Sequence, residues 1–115
     1  MDQYKHFHLS IDRVARTINM GIDYFPHFPI SVCEKMIETN LVKGKVIHGI
    51  YLGPIHPRSK HKALASKYVW IEAPDGTVID PIRWALEKSY PHIRIFEPEE
   101  AIEFGYQKVN KESEK

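Results

Sequence analysis

The tetrapeptide Ala73-Pro74-Asp75-Gly76 constrains the fold of this chain more than any other segment. It separates two runs of strand-forming residues, 68–73 and 77–80. Pro74 suits the first central position of a type I turn, Asp75 the second, and Gly76 the left-handed residue of the bulge that follows. A loop of this kind pairs position 73 with position 77, and counting back along the ladder pairs Trp70 with Asp80. Side chains alternate along a strand, so Tyr68 and Trp70 share a face with Asp80, with Tyr68 as its diagonal neighbour. A slip of one residue would turn Asp80 to the other face, so this inference rests on the turn type. On their own, the aromatics read as core and Asp80 as a cap on the turn into Pro81-Ile82-Arg83-Trp84.

The remainder of the chain places helices before the hairpin. Ser10 is positioned to cap a helix whose Ile11, Val14, Ala15 and Ile18 recur at helical spacing, with Gly21 as its left-handed end. Two prolines make 23–29 an extended segment. A second helix is predicted from Ser31, with Val32, Met36, Ile37 and Leu41 as its apolar stripe. Residues 45–52 form a β-branched strand and 54–66 a loop. After the hairpin come a short helix within 81–88, a strand at 93–96 and a helical turn at 99–104. The predicted fold is α+β, with N-terminal helices packed on a small antiparallel sheet. One domain is expected over 1–108, followed by a flexible charged tail at 109–115.

Composition narrows the classes. A formal charge of +1 gives no field that argues for nucleic acid or an acidic membrane. No apolar run approaches a membrane span, the N-terminus has no signal-like apolar region, and the single cysteine suits a reducing compartment. A soluble, cytoplasmic protein is the expectation. No two of the seven histidines have zinc-like spacing, so neither metal nor cofactor is expected.

Ser31-Val32-Cys33-Glu34 reads as a capping box, with Ser31 at the cap and Glu34 reaching back to its amide. This puts Cys33 in the first helical turn, where free amides and the helix dipole favour a thiolate. The competing reading is a small buried hydrophobe, the usual fate of a lone cysteine.

A helix opening on Cys33, then VIHGIYLGPI, then YVWIE and DGTVIDPIRW together resemble the small papain-like and transglutaminase-like thiol domains. The resemblance covers about residues 28–84. It implies that Cys33 matches the nucleophile, Trp70 the aromatic two places beyond the base, and Asp80 the acid that orients the base. Tyr68 stands where the base histidine belongs, and Ile82 where a threonine is usual. A phenol with a pKa near 10 is a poor base at neutral pH, and a catalytic thiol needs a base or cation nearby. His61 in the loop before the strand, His56 further back in that loop, or His48 in the strand beside Gly49-Ile50-Tyr51, could replace it.

Three readings follow. One is an active cysteine hydrolase or acyl transferase on a peptide, isopeptide or amide bond, using Cys33 with a non-motif histidine. The second is a degenerate hydrolase-like domain that binds a protein or peptide through a groove near Cys33, with Trp70, Tyr51 and His48 as binding residues. The third is a structural domain with Cys33 in its core. The retained Cys33 and Asp80 favour the first, and Tyr68 and Ile82 favour the second.

Overall fold

A computed structural model describes residues 10–89 and 93–109. It contains four α-helices, α1 (Ile11–Ile18), α2 (Pro29–Glu38), α3 (Arg83–Glu87) and α4 (Pro98–Glu103). Five strands, β1 (Lys45–Tyr51), β2 (Tyr68–Glu72), β3 (Val78–Asp80), β4 (Arg94–Phe96) and β5 (Tyr106–Lys108), form one sheet in the order β4-β3-β2-β1-β5. Every pairing is antiparallel. The outer strands β4 and β5 are joined through α4, and their Phe96 and Tyr106 rings lie 5.6 Å apart, so the sheet curls into an incomplete barrel. Helix α2 packs on β1 and β2, and α1 packs on α2. This is the expected α+β arrangement.

The hairpin forms as the tetrapeptide dictates. The Gly76 amide donates to the Ala73 carbonyl at 2.8 Å, Gly76 has φ of 91°, and the Ala73 amide donates to the Thr77 carbonyl at 2.9 Å. Ile71 faces Ile79 and Glu72 faces Val78, so continuing the ladder sets Trp70 opposite Asp80. β2 is buried along both faces from Tyr68 to Ile71, which is why its sequence shows no polar alternation.

The N-terminal half differs from expectation in three places. Ser10 caps α1 through the Arg13 amide, but Asn19, not Gly21, takes the left-handed end, with φ of 56°. Asn tolerates this conformation better than most residues. Residues 22–28 are not extended. They form a 3-10 turn, Ile22–Tyr24, followed by further turns in which the His27 and Phe28 amides both donate to the Tyr24 carbonyl. Phe25 is helical despite preceding a proline, and its side chain is fully buried, so core burial outweighs the local bias. Finally, α2 starts at Pro29 behind Phe28, with no side-chain cap. A proline at the first helical position lacks only an amide that would go unbonded anyway.

Two further elements were absent from the sequence reading. Lys62–Lys67 is a 3-10 helix that takes up the end of the expected loop and one residue beyond it, and β5 closes the sheet against β1. The Val109 amide still donates to the His48 carbonyl, so the anchored chain runs one residue past 108. Residues 110–115 of the expected tail, like His6, His8 and His92, lie outside the described residues. No helix among the described residues is long and apolar enough to cross a membrane.

Candidate functional site

Asp80 ends β3, and its fully buried carboxylate gathers four donors. Oδ1 accepts from the amides of Ile82 and Arg83, at 2.8 and 3.0 Å, which caps the turn into α3. Oδ2 accepts from the Tyr68 hydroxyl at 2.8 Å and from the Tyr106 hydroxyl at 2.6 Å. The expected contact of Tyr68 with Asp80 and the turn cap thus both form, on different oxygens. Tyr106 is a partner that the sequence reading missed. Burial holds the Asp80 carboxyl above the usual carboxylate range, against the opposing pull of these donors.

Around Asp80 the rings of Tyr51, Tyr68, Trp70 and Tyr106 pack with centroids as close as 5.0 Å. Arg83 was also missed, although the turn after Asp80 places it. Its guanidinium is buried over the Tyr51, Phe96 and Tyr106 rings at 5.0, 5.1 and 5.5 Å, and it donates to the Phe104 carbonyl at 2.8 Å. Glu87 lies 3.0 Å from Arg83 Nε and also pairs with Arg94, although the Nε–H does not aim squarely at it. Tyr51 spends its hydroxyl on the Pro54 carbonyl. It is therefore a structural residue of this cluster.

Cys33 does not occupy the expected position. It is the fifth residue of α2, beyond the reach of the free amides of the first turn, and it is fully buried. Burial pushes its thiol well above the usual range, and the carboxylates of Asp80 and Glu34 push the same way. These effects disfavour the thiolate that a nucleophile needs. His48 cannot join Trp70 and Tyr51. It pairs with Val69, while Ile47 and Gly49 pair with Trp70 and Tyr68, so alternation turns its side chain to the opposite face. His61 stands against the His27 ring at 5.4 Å in a separate pocket beside Trp84. Neither histidine is among the groups that act on Cys33. Among the described residues, no three His, Cys, Asp or Glu side chains form a candidate metal site.

Burial raises the Tyr68 and Tyr106 phenols as well, with the Asp80 charge adding to it. These two groups and Cys33 hold their protons more tightly folded than unfolded. The stability they contribute is complete below the ordinary thiol and phenol ranges and is lost as pH rises through and above them. The urea midpoint is expected to fall above about pH 9. The slope should approach about 1.4 kcal/mol per pH unit for each group that titrates only on unfolding. Tyr68→Phe should flatten this alkaline limb. An unchanged slope in that variant would mean that Tyr68 ionises within the folded protein.

The same sheet face opens into a cavity of about 570 Å³ lined by Trp70, Val78, Pro98, Ala101, Ile102 and Tyr106. Glu72 and Lys108, 2.6 Å apart, stand at its charged side. The Trp70 indole Nε1 is buried without a hydrogen-bond partner among the described residues. Leu52 and Ile102, which also line the cavity, are 65% and 79% exposed. No family model, curated protein or solved structure matches this chain.

Proposed function

We propose that this chain is a degenerate thiol-hydrolase-like domain that has given up catalysis and binds an extended protein segment beside Trp70. The bond from Tyr68 to Asp80 carries this reading. The acid that would orient a catalytic imidazole is saturated by two phenols and two amides. The position of the base is held by a group that donates to that acid and takes no proton from Cys33. The order of the Cys33 helix, YVWIE and DGTVIDPIRW supports a papain-like or transglutaminase-like ancestry.

The binding surface differs from the expected groove at Cys33, because Cys33 is sealed in the core. The cavity under α4 adjoins β5, whose outer edge has no strand partner among the described residues. A peptide strand can add to such an edge and send alternate side chains into an adjacent pocket. An apolar side chain matches the Val78, Ala101 and Ile102 lining.

Two measurements test this. Iodoacetamide should label native Cys33 roughly 100-fold more slowly than the urea-unfolded chain between about pH 6 and 9, as for a group reached only through opening. Rapid native labelling near pH 6 would overturn the loss of catalysis. Peptides selected from a random display library on the full chain should carry an apolar residue and bind roughly tenfold more weakly to Ile102→Lys. Binders indifferent to Ile102→Lys and Leu52→Lys would overturn the placement.

A further inference from the structure

A second pocket, of about 400 Å³, lies on the other side of α3 from the Asp80 cluster and has a different chemistry. It is built from three segments. The loop 54–61 is tied to α3 where the Ser59 hydroxyl donates to the Ala85 carbonyl at 2.8 Å and the His56 amide donates to the Leu86 carbonyl at 2.8 Å. The turns at 22–28 contribute Asp23 and Pro26, and α3 with its end contributes Trp84 and Lys88.

Three fixed positive charges, Arg58, Lys60 and Lys88, line this pocket against one carboxylate, Asp23. Among the described residues none of the three cations makes an ion pair. Lys88 holds the left-handed conformation, with φ of 57°, at a helix end where glycine would be free of strain. A non-glycine residue kept there is the kind of local cost that accompanies a functional position. His61 stands among these charges, and burial, His27, Lys60 and Lys88 all lower its pKa.

We infer that this pocket binds a phosphate monoester carrying a planar ring, with Arg58, Lys60 and Lys88 on the phosphate and Trp84 against the ring. The charge matches, since three cations less one carboxylate leave two uncompensated, and a monoester carries roughly −1.5 to −2 at neutral pH. The volume lies in the range of small-molecule sites, about 300–1,000 Å³. The inference is independent of the peptide surface, which lies under α4.

Phenyl phosphate titrated into the full chain provides the test, read by the imidazole resonances of His61 and the indole N–H of Trp84. Both should shift and saturate, and the apparent pKa of His61 should rise as the anion offsets His27, Lys60 and Lys88. Phenol should produce no shift, and inorganic phosphate should bind more weakly. Lys60→Ala and Lys88→Gly should each weaken phenyl phosphate about fivefold to tenfold. Lys88→Gly also relieves the left-handed backbone, so weaker binding in that variant is not a folding defect. Shifts reproduced by sodium chloride at matched ionic strength, or unchanged in both variants, would overturn the site. Equal affinity for inorganic phosphate would overturn the role given to Trp84.

Discussion

Asp80→Ala is expected to destabilise the domain by about 3–5 kcal/mol, measured as the shift in urea unfolding followed by tryptophan fluorescence. The alanine deletes the acceptor of four donors at once. Two are amides at the start of α3, and two are tyrosine hydroxyls from β2 and β5. A buried donor left without an acceptor costs about 1–3 kcal/mol, and relaxation or an entering water recovers part of the total. Against the 5–15 kcal/mol typical of a small domain, this brings the chain close to unfolding. Asp80→Asn should cost about half as much, because its carbonyl can still cap Ile82 and Arg83. Burial raises the Asp80 carboxyl, so the folded state binds its proton more readily than the unfolded chain does. That stabilisation is complete below the ordinary carboxylate range and declines as pH rises through it, so the alanine penalty should be larger near pH 4 than at neutral pH. A change under about 1 kcal/mol would show that the tyrosines hold the sheet without their acceptor.

Gly49→Ala should be nearly as damaging, at about 3 kcal/mol, although it adds a single methyl group. Gly49 lies in mid-strand on β1, paired with Tyr68 on one side and Lys108 on the other. The Trp70 indole lies across it. A Cβ at position 49 would fall inside contact distance of Trp70 Cη2 and of the Gln107 carbonyl oxygen, and 2.8 Å from Trp70 Cζ3. The indole is buried and the carbonyl belongs to a paired strand, so neither can swing aside as the tip of a flexible side chain would. Either β5 separates from β1 or Trp70 leaves its rotamer. Trp70→Leu in the Gly49→Ala background should recover only part of the loss, since the clash with the carbonyl remains. An alanine variant with parental stability would show that β5 detaches at little cost.

The elements that the sequence determined are those governed by neighbours close along the chain. Ala73-Pro74-Asp75-Gly76 set the turn, the turn set the register, and the register made Tyr68 the diagonal neighbour of Asp80, twelve positions away. Ser10 specified its own helix start in the same local way. Contacts across longer separations needed the folded sheet. Tyr106 reaches Asp80 from 26 residues downstream only because β5 closes on β1, and no periodicity in a three-residue strand announces that pairing. Arg83 finds its aromatic surroundings through the same closure. For Cys33, a serine followed three residues later by a glutamate was a real local signal, but burying Phe25 and starting the helix at Pro29 moved the thiol one turn inward. A cap is worth about 1 kcal/mol and a buried phenylalanine about 2–3 kcal/mol, so where the two compete, packing decides.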